Sequence, residues 1–260
     1  MTALLEVRNL NKSFGSVVAA NDITVSVADG EVVGIIGSNG AGKTTFVNMV
    51  TGYMKPTSGT IEFQGRDITM LPTRRVIAAG ISRSFQVPQV FSTATVADNL
   101  LIAYGIAQGT RYPLWRPLHH GARVDAVDAA LERFGILNYR NLEAGLLPQG
   151  VRKLLDIAMA TVRGPRLLLL DEPTSGISVE EKFGIMDVIM AALRAERCAV
   201  LFVEHDMEIV GRYAERVIAF AEGTIIAEGA PAAVIADPQV RRYVTGEPVG
   251  ARRFRAAPAS

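Results

Sequence analysis

The sequence predicts an α/β fold: a mixed, mainly parallel sheet with helices, an N-terminal antiparallel β region, and a helical subdomain in mid-chain. Three observations predict it. The first third alternates short β-type runs with turn residues, as successive strands do. The last third carries two continuous apolar runs, Leu167–Leu170 and Cys198–Val203, as strands buried on both faces require. Between them, from about residue 87 to 160, helical periodicity takes over, with Val151, Leu154, Leu155, Ala158 and Val162 on one face.

In chain order, LLEVRNL (4–10), ITVSV (23–27) and EVVGII (31–36) read as strands, the last two separated by Ala28-Asp29-Gly30. Thr60–Phe63 follows Ser58-Gly59 as another. Thr95 with Ala97-Asp98, ahead of Leu100-Leu101, reads as a capped helix start. Arg111–Gly121 is rich in Pro and aromatics and reads as an irregular loop, with His119 and His120 on the surface. Asp125–Phe134 and Ser178–Leu193 read as helices, the second with Phe183, Met186, Met190 and Leu193 on one face. Val217–Phe220 and Thr224–Ala227 form a hairpin across Glu222-Gly223. Ala251–Ser260 reads as a loose tail.

Composition bounds the chemistry. The chain has 260 residues, 49% hydrophobic and 20% charged, enough for one large domain or two small ones. A net charge of +1 provides no basic field, so no nucleic-acid partner is expected. The one cysteine, Cys198, excludes an internal disulfide and reads as a buried thiol in a reducing compartment. No apolar stretch approaches the roughly 18 residues of a membrane span. The first residues have no signal-peptide core. A cytoplasmic location is expected, with peripheral attachment to membrane proteins left open.

Gly37–Thr44 reads GSNGAGKT, after the strand Val32–Ile36 and before TFVNMV. This is the phosphate-loop pattern in its strand–loop–helix context, and it predicts a P-loop NTPase core. Backbone N–H groups of Gly37, Ser38, Asn39, Gly40, Ala41 and Gly42 would converge on phosphate oxygens, helped by the helix N-terminus. Lys43 would reach the β- and γ-phosphates, Thr44 would bind Mg²⁺, and Thr45 would donate to the α-phosphate. In LLLLDEP, four apolar residues carry Asp171 to the C-terminal edge of a parallel sheet, where such sheets bind ligands. Asp171 would join the Mg²⁺ shell, and Glu172 would polarise an attacking water.

The phosphate loop, LLLLDEP, SGIS and VEHD follow one another in the order and spacing of the ATP-binding cassette (ABC) ATPases, which residues 4–245 resemble. The resemblance implies ATP and Mg²⁺ as ligands, bound in a sandwich dimer between one chain's phosphate loop and its partner's signature loop. It implies that Phe14 stacks on adenine, although an ordinary core phenylalanine is the plain reading of that residue alone. It implies that Gln86 contacts Mg²⁺ or the attacking water, and that His205 bonds the γ-phosphate. The expected division is a nucleotide-binding core at 1–86 and 161–237, a helical signature subdomain at 87–160, and a tail at 238–260.

Two places depart from the family pattern. The signature segment, usually LSGGQ, is here Leu147-Pro148-Gln149-Gly150-Val151. Gly150 holds the position whose N–H faces the partner's γ-phosphate, while Pro148 replaces a serine and brings no donor. Proline is tolerated at or just before a first helical turn, so the loop is expected to keep its shape. After the carboxylates, Ser178 stands where many members have Asp, and reads as a helix cap with Glu181.

The segment SRSFQVPQVFSTATVADNL and the ending EGTIIAEGAPAAVIADPQVRRYVTGE look most similar to ATPases of branched-chain amino-acid importers. That similarity implies a peripheral subunit at the cytoplasmic face of the membrane. Its partners would be two transmembrane permease subunits, a second ATPase subunit and, indirectly, a solute-binding protein. The permease helix would dock near Gln86–Phe91, with Val87, Val90 and Phe91 giving apolar contact. An exporter ATPase and a soluble non-transport ATPase are the competing classes.

Overall fold

The computed structural model describes residues 3–107 and 121–245. β1 (Leu5–Phe14) and β2 (Val17–Val27) form an antiparallel hairpin. β4 (Ser58–Phe63) pairs antiparallel with β1, and the short β5 (Arg66–Asp67) closes this four-stranded sheet. The second sheet has six strands: β3 (Val32–Gly37), β6 (Ile81–Ser84), β7 (Leu167–Asp171), β8 (Ala199–Val203), β9 (Arg216–Ala221) and β10 (Thr224–Gly229). Their order is β10-β9-β3-β8-β7-β6, parallel throughout except that β10 runs antiparallel to β9. The α/β architecture expected from the sequence, antiparallel region included, is present.

The apolar runs have a direct cause. Leu168, Leu170, Val200 and Phe202 enter one core, and Leu167, Leu169, Leu201 and Val203 enter another. Successive side chains point to opposite faces, so a strand covered on both sides must be apolar at every position. One core is closed by the antiparallel sheet and α1 (Lys43–Val50). The other is closed by α3 (Val96–Ala107), α4 (Gly121–Arg133), α5 (Gln149–Thr161), α6 (Lys182–Ala195), α7 (Met207–Tyr213) and α8 (Pro231–Ala236). A small helix, α2 (Thr73–Ala79), precedes β6. No helix among the described residues is long and apolar enough to cross a membrane. Cys198 is buried, and burial pushes its thiol pKa up to about 12.

Several boundaries move for identifiable reasons. β1 and β2 run on to Phe14 and Val17 because polar side chains pair across them: Asn9 donates to Asp22 at 2.7 Å. β5, α2 and β6 have no apolar period to announce them. The cap at Thr95 forms as expected: its hydroxyl accepts from the Asp98 N–H at 3.0 Å and donates to the Asp98 carboxylate at 2.7 Å. Ser178 also accepts from the Glu181 N–H, at 3.3 Å, but this pair closes a turn, and α6 starts only at Lys182. Glu222 and Gly223 both have positive φ (48° and 78°), as a tight hairpin turn demands. Gly121, read as loop, opens α4; His119, His120 and the rest of that loop lie outside the described residues. Within the expected tail, residues 238–245 are helical and Val240 is fully buried. Residues 251–260 lie outside the described residues.

Candidate active site

β3 delivers the chain at Gly37 and α1 takes it away at Lys43, with the phosphate loop between. Gly42 has φ +100°, and a Cβ there would stand 2.7 Å from the Ala19 carbonyl oxygen, so only glycine lets the loop turn against β2. Lys43 is buried and donates to the carbonyls of Gly37 at 2.6 Å and Ser38 at 2.9 Å. Burial lowers its pKa, and the nearby charges of Glu172 and Asp171 oppose that shift.

A pocket of about 220 Å³ lies over this loop. Its lining includes Asn39, Gly40, Ala41, Gly42, Lys43, Thr44, Thr45, Gln86, Asp171, Glu172 and His205. Most of the expected site residues thus line one concavity at the C-terminal ends of β3, β6, β7 and β8. Gly37 and Ser38 lie beneath it and contribute carbonyls to Lys43. Phe14 does not line it: it sits at the end of β1, 50% exposed, with the Lys12 ammonium 5.1 Å from its ring centroid. Gly150 does not line it either, being the second residue of α5.

Glu172 stands between two partners. One carboxylate oxygen accepts from the Gln86 side-chain amide at 2.5 Å, and the other is 2.7 Å from His205 Nε2. Its backbone is left-handed (φ 47°) and its N–H bonds the Val203 carbonyl at 3.0 Å. A non-glycine residue in that conformation costs about 1–3 kcal/mol and persists only where its surroundings hold it. Asp171 pairs with Arg83 through Oδ2 at 2.5 Å. Thr44, Gln86 and Asp171 bring hard oxygen donors to one pocket. Among the described residues, no group of three or more His, Cys, Asp or Glu could hold a metal. That donor set fits Mg²⁺, which keeps waters and shares its shell with phosphate oxygens.

Three ionic residues that support the site, Lys153 and Glu204 buried and Arg83 nearly so, escaped the sequence reading. Lys153 on α5 donates to the carbonyls of Phe85 (2.7 Å), Gln86 (3.2 Å) and Asp171 (3.4 Å), tying the signature helix to the Gln86 loop. Burial lowers its pKa, opposed by Asp156 and the site carboxylates. Glu204 accepts the Thr174 N–H and hydroxyl (2.9 and 2.6 Å) on one oxygen and the His205 N–H (3.2 Å) on the other. Arg83 holds Asp171 and Asn48. Only Glu204 left a trace in the sequence: a charge directly after a wholly buried strand.

A phosphate loop opposite an acidic strand end, with a carboxylate held between an amide and an imidazole, defines a nucleotide-hydrolysing P-loop protein. The comparisons narrow the class. The family model described as ABC transporter matches residues 20–175. The LivG high-affinity branched-chain amino acid transport ATP-binding protein of Salmonella typhimurium is 35% identical over 253 residues, covering 94% of this chain and 98% of the relative. BraF, from the same kind of system in Pseudomonas aeruginosa, is 34% identical at the same coverage. The lipopolysaccharide export system ATP-binding protein LptB of Acidithiobacillus ferridurans is 32% identical, covering 95% and 98%. The ADP conformation of MJ1267, an ATP-binding cassette of an ABC transporter, superposes with TM-score 0.84 at 31% identity, covering 95% of this chain and all of that one. The chain belongs to the ABC transporter ATP-binding family, whose members are nucleotide-binding ATPases.

Proposed function

We propose that the chain hydrolyses MgATP through Glu172 and so energises an importer of branched-chain or other hydrophobic amino acids. The observation that carries the catalytic part is Glu172, held between Gln86 and His205 at the mouth of the phosphate pocket. Opening one of those bonds lets the carboxylate take a proton from a water, while His205 and Gln86 orient it. Lys43 meets the phosphate charge. Thr44, Asp171 and Gln86 would hold Mg²⁺, which would help neutralise the phosphate charge. The importer reading rests on the similarity to LivG and BraF; the similarity to LptB keeps export as the second reading.

Phe14, exposed at the hairpin, would stack on adenine. Gly150 would complete a partner chain's pocket. Pro148 sits just before α5 (φ −53°, ψ 150°), where its missing N–H breaks no helical bond, so the loop keeps its course while one donor to a partner's γ-phosphate is missing. This favours a heterodimer with a second ATPase. The division into a core at 1–86 and 161–237 and a signature subdomain at 87–160 belongs to the same reading. A groove of about 270 Å³, lined in part by Ile77, Phe85, Phe91, Ile102 and Ile106, would receive a helix of a transmembrane permease at the cytoplasmic face. Phe91 lines this groove; Val90 packs on the core and Val87 stands exposed outside it.

The test is uptake of labelled leucine, isoleucine and valine in cells carrying either this chain or Glu172→Gln. Uptake should fall to background in the variant while the protein still binds ATP. Unchanged uptake with a defect in surface lipid export would establish the second reading.

A further inference from the structure

The groove and the nucleotide pocket share no lining residue, yet Arg83 joins a wall of one to a wall of the other. Arg83 lines the groove, and its Nη2 pairs with Asp171 Oδ2 at 2.5 Å, Asp171 being a wall of the nucleotide pocket. Nη1 of the same guanidinium donates to Asn48 Oδ1 at 2.6 Å, on the helix that leaves the phosphate loop. Toward the groove, the guanidinium carbon lies 5.1 Å from the Phe85 ring centroid and 6.0 Å from that of Tyr53, and both rings line the groove. Those rings meet edge to face, 5.9 Å apart. Arg83 Nε is buried and has no hydrogen-bond partner among the described residues. The side chain is 8% exposed.

We propose that Arg83 is a positioning residue that couples the docking groove to the nucleotide pocket through Asp171. The inference deepens the proposed function and rests on its reading of Asp171 as a Mg²⁺-shell carboxylate. Arginine suits the task because its planar fork holds two acceptors in fixed directions while its face stacks on aromatic rings. Asp171 has Oδ2 tied to Arg83 and lines the pocket. When Asp171 takes up the metal with its nucleotide, its negative charge is shared, and its hold on the guanidinium changes. The rings stacked on that guanidinium change with it. In the other direction, a helix seated on Phe85 and Tyr53 acts on the carboxylate. The two effects are reciprocal by linkage: whatever the groove's occupant does to nucleotide affinity, the nucleotide does to the occupant's affinity. This route runs through charge on β6 and β7 and does not use the Gln86 side chain.

The test uses the full chain with Ile106→Cys, an exposed groove position, labelled with an environment-sensitive fluorophore. Cys198 is buried with a raised pKa and stays unlabelled. Nucleotide binding is followed separately with a fluorescent ATP analogue, with and without Mg²⁺. MgATP should shift the groove label's emission. In Arg83→Met the shift should vanish at saturating MgATP, and MgATP affinity should weaken about tenfold, the equivalent of one lost charged hydrogen bond, with metal-free ATP affinity unchanged. Arg83→Lys keeps the charge without the fork and should give an intermediate shift; it also carries the test if the methionine variant does not fold. A full emission shift in Arg83→Met or Arg83→Lys, or a silent label in a chain that binds MgATP normally, would overturn the coupling alone. A chain that binds no MgATP would overturn the coupling together with the function it rests on.

Discussion

Glu204→Gln should both destabilise the fold and slow hydrolysis, although Glu204 does not line the pocket. The carboxylate accepts three bonds: two from Thr174 on one oxygen and one from the His205 N–H on the other. Glutamine has a single acceptor oxygen. Turned toward Thr174, it keeps two bonds and presents its NH₂ to the His205 N–H, donor against donor. Turned the other way, it loses both Thr174 bonds. The cheaper arrangement loses one bond to a charged group, about 1.5–3 kcal/mol, at a residue only 4% exposed. A change of that size lowers Tm by about 3–6 °C in a chain of this length. Thr174 follows Glu172 by two residues, and His205 contacts Glu172 directly, so the lost bond also frees both ends of the Glu172–His205 pair, on which the proposed hydrolysis depends. A shift of about 1 Å there costs up to about 100-fold in turnover. Urea unfolding followed by circular dichroism gives the first quantity and steady-state ATPase the second, with KM expected to change little. A loss below about 0.5 kcal/mol, within the range of ordinary surface substitutions, would refute the clamp. So would an unchanged kcat in a measurably destabilised protein, because the bonds would then be structural only.

The other predictions concern α5. Pro148→Ser should raise the ATPase activity of the purified chain several-fold, by restoring a donor worth about 1.5–3 kcal/mol to a charged phosphate. No gain, alone or with a partner ATPase, would mean that Gly150 and the helix N-terminus suffice. Asp156→Asn tests burial: Asp156 accepts the Gln89 N–H at 2.9 Å, and burial raises its pKa above the ordinary 3.8 against the opposing backbone bonds and the Lys153 charge. The folded state then favours the protonated acid. The wild type's stability relative to Asp156→Asn should be lowest near neutral pH and rise as pH falls through the folded pKa toward 3.8. Urea midpoints that move in parallel for the two proteins across that range would contradict it.

The sequence by itself determined the parts of this protein that depend on local geometry or strict alternation. The phosphate loop is legible because a tight anion cradle needs glycines and a lysine at set spacing, and Gly42 shows why: its Cβ would meet Ala19. β7 and β8 are legible because both faces are covered, which forces apolar residues in succession. Asp171, Glu172 and His205 are legible because each ends or follows such a strand. Tertiary structure alone decided the rest. β6 reads as Ile-Ser-Arg-Ser, with no apolar alternation, and is a strand because β7 pairs with it and Asp171 neutralises Arg83. Lys153 lies inside because three carbonyls from two other segments meet its ammonium, which no helical period of α5 announces. The start of α6 moved from Ser178 to Lys182 because the capping pair closes a separate turn, and Val240 joined the core through packing. Spacing along a chain encodes bonds within a turn or along a strand. A buried charge is set by partners that only folding brings near.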